Sequence, residues 1–322
     1  MHKTLLFCGL LLALAVCAGV AGARPPGTNG LIAFARFNSA LGDTQIYVVH
    51  PDGSSERLVQ GPNDAGECPK WFADGAHIAT CGSAVGLSRY IDPDDGTFRD
   101  VGEQDPSLFN PCGIPSPDGS LLLCETFSED GSKNGIHVVR ASDGGGLRSV
   151  TSNPGGDDVP GSWSPDGKRI VFHRFDGNGD EGVFVVNVNG THLKQILPAT
   201  VQAGIALDWS PQANDIVFSR RLPGRHSSLW IAHSDGSDLR PVNVQPSSAC
   251  GGPDDDPTAD GCLAPAWSPD GTKIAFAKGQ SLDVDANVYT VNVDGSGLTQ
   301  VTHGGGVSSL DWGTHALDEG TS

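Results

Sequence analysis

The chain has 322 residues, of which 38 are acidic and 20 basic, for a formal net charge of −18. Such an excess of negative charge repels phosphate backbones and anionic lipid, and so argues against nucleic acid and membrane surfaces as partners. The 44 glycines and 22 prolines are typical of a chain in which tight turns join many short strands.

The first 23 residues are predicted to be a secretory signal peptide. His2 and Lys3 supply a positive start, residues 5–16 an apolar run, and residues 21–23 an A-x-A cleavage site. Two alternatives stay open. The apolar stretch is just long enough for an uncleaved anchor, and Cys17 lies in a weak match to a lipoprotein box. We expect an exported protein, either secreted or periplasmic, with no membrane insertion after cleavage.

A five-residue sequence, Trp-Ser-Pro-Asp-Gly, recurs along the rest of the chain. It is intact at 163–167 and 267–271, and degraded copies begin at 71, 115, 209 and 312. The six markers are separated by 44, 48, 46, 58 and 45 residues, and a period in the forties built from short strands is the signature of a β-propeller. Pro, Asp and Gly suit a tight turn that returns the chain antiparallel. We therefore predict an all-β fold, a six-bladed propeller with four-stranded antiparallel blades.

The phase of the repeats predicts how the ring closes. Second strands are expected at residues 31–36, 77–81, 121–125, 169–174, 215–220 and 273–278. The first of these has no marker before it, and the last marker has no second strand after it, so the C-terminal strand should pair with the N-terminal blade. The marker tryptophans are expected to pack between neighbouring blades. The predicted domains are a signal peptide at 1–23, the propeller at 24–313 and a C-terminal tail at 314–322.

These repeats resemble those of TolB-type propellers, a family with WD-like repeats. The shared features are the marker turn, an Ile-Ala-Phe second strand at 32–34, and an Ile-Tyr-Val-Val third strand at 46–49 followed by Asp-Gly-Ser. The resemblance covers residues 28–313, does not include the N-terminal α/β domain of TolB, and implies the six-bladed fold. Related repeats occur in prolyl-oligopeptidase-like enzymes, which carry a following hydrolase domain. They also occur in oligogalacturonate-lyase-like propellers, which use a histidine-rich metal centre in the channel.

Six cysteines follow the signal segment, and an even number in an exported protein suggests disulfides. In two of the expected pairs, one cysteine lies three residues before a marker and the other lies in the strand after it. The third pair would close the insertion that stretches one spacing to 58 residues. Zinc is the competing use of cysteine, but no C-x₂-C sequence is present. The predicted pairs are Cys68–Cys81, Cys112–Cys124 and Cys250–Cys262.

Two loops between second and third strands carry oxygen donors at every other position, which resembles the opening of a calcium loop. Neither loop has a glutamate at the twelfth position, and Asn, Asp and Gly also suit ordinary hairpin turns. Both interpretations are kept, and no other cofactor is expected. The candidate metal ligands are Asp176, Asn178 and Asp180 in one loop, and Asp283, Asp285 and Asn287 in the other.

The connections from each fourth strand to the next innermost strand should gather around one mouth of the central channel. They are rich in carboxylates, with Lys70 as the only nearby base. We predict an acidic mouth that receives a basic peptide segment or a cation; the alternative is diffuse charge that keeps the protein soluble. The candidate ligand-binding residues are Asp64, Glu67, Asp105, Asp157, Asp158 and Asp260.

No catalytic residue is predicted, since neither G-x-S-x-G nor H-E-x-x-H occurs and the expected innermost strands contain no histidine. Loops on a rigid scaffold commonly give specificity. We expect a monomeric binding module for a protein or cell-envelope partner, which acts through its channel-mouth loops. The alternative is an extracellular enzyme, similar to a polysaccharide lyase or a hydrolase, that uses the central channel. A cation-dependent structural or adhesive role is the third possibility.

Overall fold

The structure, a computed structural model, describes residues 27–59, 67–81, 88–102, 108–109, 112–177, 179–253 and 260–317. The predicted signal peptide at 1–23 lies outside these residues. Within them the chain is almost entirely β-structure, with short 3-10 helices at Ala199–Val201 and Ser247–Ala249. None of the helices in the described part of the chain is long and apolar enough to cross a membrane.

The strands form six sheets, each named as a blade. Blade 1 contains β1 (Ile32–Asn38), β2 (Asp43–Val49) and β3 (Arg57–Leu58), together with β25 (Val307–Trp312) from the other end of the chain. Blade 2 contains β4 (Glu67–Trp71), β5 (Ile78–Cys81), β6 (Ser88–Ile91) and β7 (Phe98–Val101). Blade 3 contains β8 (Leu108–Phe109), β9 (Cys112–Pro115), β10 (Leu121–Ser128), β11 (Gly135–Arg140) and β12 (Arg148–Ser149).

The remaining blades follow in chain order. Blade 4 contains β13 (Asp157–Trp163), β14 (Arg169–Asp176), β15 (Gly179–Asn187) and β16 (Lys194–Pro198). Blade 5 contains β17 (Ala203–Trp209), β18 (Asp215–Arg221), β19 (Ser227–His233) and β20 (Arg240–Pro241). Blade 6 contains β21 (Gly261–Trp267), β22 (Lys273–Gly279), β23 (Asn287–Asn292) and β24 (Thr299–Gln300).

Neighbouring strands pair antiparallel, and strand order in each sheet follows the chain except in blade 1. There β25 pairs with β1, so that Ile32 lies opposite Trp312 and Phe34 opposite Leu310. The predicted fold and the predicted closure are both confirmed. Blade 3 differs in one detail, because β8 and β9 both pair with β10.

The marker sequence forms a self-capped turn. In blade 6 the Ser268 hydroxyl donates to Asp270 Oδ1 at 2.7 Å and accepts from the Lys273 amide at 2.9 Å. Gly271 adopts a φ of 68° and its amide donates to the Ser268 carbonyl at 2.8 Å. The positive φ explains glycine at the end of the marker, and the two hydrogen bonds explain serine and aspartate.

The hydrophobic core lies between blades. Trp209 of blade 5 packs in one cluster with Val171 and Val183 of blade 4. Trp267 of blade 6 packs with Val217 and other residues of blade 5. This confirms that the marker tryptophans are inter-blade core residues, so burial of apolar side chains between blades stabilises the ring.

A hydrogen bond accompanies this packing and was not predicted. The buried carboxylate of Asp208 in blade 5 accepts the Trp267 main-chain amide of blade 6 at 2.8 Å. Asp311 does the same for the Trp71 amide of blade 2, and the Ser162 hydroxyl accepts the Trp209 amide, both at 2.8 Å. In each case the side chain of the residue before one marker accepts a hydrogen bond from the main-chain amide of the marker tryptophan in the next blade. We call this contact the blade clamp.

Two of the three predicted disulfides are present, Cys112–Cys124 and Cys250–Cys262. The first joins the innermost and second strands of blade 3, and the second closes the long insertion before blade 6. Cys68 lies in β4, but the side chain of its predicted partner Cys81 lies outside the described residues. Two disulfides indicate that the protein folds in an oxidising compartment.

Candidate functional site

The central channel holds a cavity of about 760 Å³ toward one end. Its opening, here named the wide mouth, is bordered by Phe37, Asp43, Glu67, Leu282 and Asp283. The marker turns enclose a much smaller cavity, of about 50 Å³. A cavity of several hundred cubic ångströms is the size that commonly holds a small ligand or a few residues of peptide. The wide mouth is therefore the candidate site.

β-Bulges in the innermost strands open the channel. In each blade, the register between the innermost and second strands shifts once near the cavity. A bulge leaves its extra residue unpaired and bends the strand. Main-chain groups of the bulged residues thus border the cavity, together with small, proline and aliphatic side chains. Bulged residues that line the cavity are Cys68, Pro69, Gly113, Gly161, Gly204, Ile205, Ala206, Ala264, Pro265 and Ser308.

Four carboxylates line the cavity in the described part of the chain: Asp43, Glu67, Asp283 and Glu125. The one basic side chain among the described lining residues is Lys70, and its ammonium lies 3.5 Å from a carboxylate oxygen of Asp311. Because this lysine is already neutralised, the cavity carries net negative charge. Such a cavity attracts cations and rejects anions.

Glu125 differs from the other three carboxylates in its surroundings. It lies in β10, half-buried, next to the disulfide-bonded Cys124. Burial, followed by repulsion from the charges of Asp157 and Asp158, raises the pKa of Glu125 from 4.5 to about 7. The charge of the cavity consequently changes near neutral pH.

The predicted mouth residues separate into different environments. Glu67 begins β4 and lines the cavity, as expected. Asp158 is buried, and the Arg174 guanidinium donates to both of its carboxylate oxygens at 2.7 Å. Asp157 precedes it, half-buried, at the start of β13. Asp64 and Asp105 lie outside the described residues.

Lys70 is not the only base near these acids, which corrects one prediction. Arg174 pairs with Asp158, and the Lys278 ammonium pairs with Asp260. Neither partner could be identified from the sequence, because each lies in a second strand. The separations along the chain are 16 residues for Arg174 and Asp158, and 18 for Lys278 and Asp260. Asp158 also accepts hydrogen bonds from Thr151 and Asn153, so its role in the fold is to anchor the start of β13.

The two candidate calcium loops are placed as follows. Asp176 ends β14, while Asn178 and the side chain of Asp180 lie outside the described residues. In the other loop, Asp285 accepts the amides of Gln280 and Ser281 at 3.1 and 2.8 Å.

The remaining ligand candidates of that second loop have separate surroundings. Asn287 accepts the Gly305 amide at 2.9 Å, and Asp283 lines the channel cavity. The described residues contain no group of three His, Cys, Asp or Glu side chains that could hold a metal ion. Calcium binding stays a prediction.

Two carboxylates of the cavity, Asp43 and Glu125, were missed by the sequence reasoning. Asp43 begins a third strand and Glu125 lies within a second strand, whereas only the connections into the innermost strands were searched. A signal was present for Glu125, since it is the one charged residue inside the otherwise uncharged run at 121–128. A charge at such a position either pairs or faces a cavity.

Comparisons with known proteins agree on the architecture. A protein assigned as TolB from Agrobacterium tumefaciens has a TM-score of 0.64 and 20% identity, over 88% of this chain and 92% of that chain. TolB from Acinetobacter baumannii has a TM-score of 0.65 and 17% identity, over 90% of this chain and 67% of that chain. The chain folds as a TolB-like six-bladed propeller.

More distant structures share this fold. A chain from a nidogen–laminin complex has a TM-score of 0.64 at 8% identity, and an oligogalacturonate lyase in complex with manganese has a TM-score of 0.51 at 15% identity. No family model matches the chain, and no curated protein matches it in sequence. The TolB-like propeller is thus a statement about fold, and function must be argued from the site.

Proposed function

We propose that this TolB-like propeller is an exported binding module that takes a basic segment of a protein partner into its wide mouth. The observation that carries the proposal is the cavity of about 760 Å³, lined by four carboxylates and one already paired lysine. Arginine and lysine side chains would enter the cavity as cations. Their hydrogen bonds to water would be replaced by charge-assisted hydrogen bonds to these carboxylates. The disulfides support export, because they require an oxidising compartment.

The wall of the cavity suits recognition of a partner's side chains. Bulged main chain and apolar side chains such as Ile114, Leu207 and Leu263 surround it, and no histidine lines it within the described chain. An apolar wall with a few placed charges is typical of a recognition site. The lyase-like alternative has in its favour the likeness in fold to a manganese-bound lyase and the raised pKa of Glu125 in the cavity.

The proposal is tested with short end-capped peptides that alternate glycine with lysine or with glutamate. We expect the full chain to bind the lysine peptide selectively in fluorescence anisotropy, with an affinity that falls as salt screens the charges. At pH 8, above the raised pKa of Glu125, the double variant Glu67→Gln, Glu125→Gln should bind it about tenfold more weakly, since two cavity charges are lost.

The matched control is the double variant Glu129→Gln, Asp130→Asn, which removes two exposed charges from the hairpin of blade 3 without changing the cavity lining. It should bind as the parent does. Equal affinity for lysine and glutamate peptides, or equal losses in both double variants, would overturn the proposal.

A further inference from the structure

Among the described residues, exposed large hydrophobic side chains fall into two sets, apart from Leu317 near the C-terminus. One set lies in or just before fourth strands at the outer edge of the ring: Leu58, Phe98, Leu147 and Leu193. A feature that recurs from blade to blade belongs to the repeat and marks no unique site. The second set lies at or beside the wide mouth: Phe37, Leu41, Ile205 and Val284.

Most of the second set comes from two adjacent hairpins. Phe37 and Leu41 belong to the hairpin between β1 and β2, and Leu282 and Val284 to the hairpin between β22 and β23. We call these four residues the seam platform, since they lie where blades 6 and 1 meet. The corresponding hairpins of blades 3 and 4 have polar tips, at residues 128–133 and 176–180. Among these described hairpin tips, the exposed apolar side chains belong to blades 6 and 1, and Ile205 of blade 5 adds a further one to the cavity lining.

Three glycines, Gly304 to Gly306, hold the two hairpins together. The Phe37 amide donates to the Gly306 carbonyl at 2.8 Å, and the Gly305 amide donates to Asn287 Oδ1 at 2.9 Å. A Cβ atom at Gly305 would lie only 2.8 Å from the Val284 carbonyl oxygen. The platform is consequently fixed in shape before any partner arrives, which lowers the entropy cost of binding.

The charges beside the platform are negative. Asp43 and Asp283 are exposed at the same hairpins and line the cavity. Arg36, the nearest base, pairs with Glu56 and donates to the Gly305 carbonyl at 3.1 Å. Its guanidinium also stacks over Tyr47, with the ring centroid 4.8 Å away. That cation is occupied, and no ion pair of Asp43 or Asp283 is seen among the described residues, so an apolar surface edged by carboxylates faces solvent.

We propose that the seam platform docks an amphipathic basic segment of the protein partner, with large apolar side chains on the platform and basic side chains beside Asp43 and Asp283. This inference rests on the proposed function and adds the apolar half of the partner's chemistry and the side of the mouth on which it lies. An apolar surface rimmed by polar groups is the usual form of a protein interaction site. The carboxylates disfavour an anionic lipid surface as the occupant.

The first experiment selects a random peptide library, displayed on phage, on the immobilised full chain. We expect enriched sequences to combine lysine or arginine with phenylalanine, leucine or tryptophan a few positions away. Enrichment of basic residues alone would overturn the platform and leave the proposed function standing. Enrichment of neither class, or of acidic residues, would overturn both.

The second experiment uses a synthetic peptide with the most enriched sequence. The double variant Leu41→Ser, Val284→Ser should bind it at least about tenfold more weakly in fluorescence anisotropy. The control is Leu58→Ser, Leu193→Ser at the outer edge, where Leu193 and Leu41 have the same exposed fraction of 45%. An equal loss in the two variants, or no loss in the first, contradicts the proposal.

A third experiment tests whether a lipid surface, instead of a protein, occupies the seam platform. Vesicles of phosphatidylcholine with and without phosphatidylserine are sedimented with the parent chain and with the Leu41→Ser, Val284→Ser variant. We expect neither protein to sediment with vesicles. Sedimentation of the parent alone would identify a lipid surface as the occupant of the platform and overturn the protein partner.

Discussion

At the scale of single residues, Glu125 couples the charge of the channel cavity to pH. Its carboxyl lies half-buried near two other carboxylates, of which Asp158 is neutralised by Arg174. The charge of Glu125 is not neutralised by a lysine of the described cavity lining, because the one lysine there, Lys70, pairs with Asp311. An ionised Glu125 therefore destabilises the folded protein, and a bound basic ligand would offset this destabilisation.

The substitution Glu125→Gln should stabilise the protein only at higher pH. The pKa of Glu125 is raised from 4.5 to about 7 on folding, so the cost to the folded state is absent below about pH 4.5, grows as pH rises toward about 7, and is complete above that pH. We expect the variant to gain on the order of 1–3 kcal/mol in the free energy of unfolding near pH 8, after allowance for water in the cavity. Near pH 4 the gain should vanish.

Urea unfolding of parent and variant across this pH range measures the difference. Glu129→Gln, at the exposed end of the same hairpin, serves as the control and should change stability little at any pH. A gain that did not depend on pH would show that Glu125 is not ionised differently in the folded state.

At the scale of strands and turns, the marker sequence predicted the hairpins because everything the turn needs is local. Ser268 forms hydrogen bonds with both Asp270 and Gly271, which lie two and three residues along the chain. The bulges that open the channel could not be predicted in the same way, because a bulge is defined by pairing between two strands and not by either sequence. The partners of Asp158 and Asp260 escaped for the same reason, while Glu125 had a local signal that was overlooked.

The blade clamp was also missed, although its residues are visible in the sequence as Asp-Trp at 208–209 and 311–312. Asp208→Ala should destabilise the protein by about 1–3 kcal/mol, since it leaves the buried Trp267 amide without an acceptor. Asp208→Asn keeps a carbonyl acceptor and should cost less than half as much. Urea unfolding at neutral pH compares the two, and equal losses would mean that the aspartate acts through its charge instead of this hydrogen bond.

At the scale of the whole molecule, β25 is the element on which the ring depends. It pairs with β1 of the N-terminal blade, while Val307, Leu310 and Trp312 join a core cluster with residues of blade 6. The Gly313 amide donates to the Leu31 carbonyl, and the Trp312 indole donates to the Gly30 carbonyl, both at 3.0 Å. One strand thus pairs with the main chain of blade 1 and covers apolar side chains of blades 6 and 1.

Deletion of residues 305–322 should therefore abolish cooperative folding or lower Tm by more than about 10 °C, because it exposes a sheet edge and removes several core side chains together. Deletion of residues 318–322 alone should leave Tm unchanged, since the described contacts of β25 all lie before them. A synthetic peptide that spans residues 305–317 should restore the transition of the longer deletion when added in excess. Differential scanning calorimetry measures all three samples. Two outcomes would show that blade 1 does not need a strand from the other end of the chain. One is a Tm of the 305–322 deletion equal to that of the parent, and the other is a peptide that does not change the transition of a destabilised deletion.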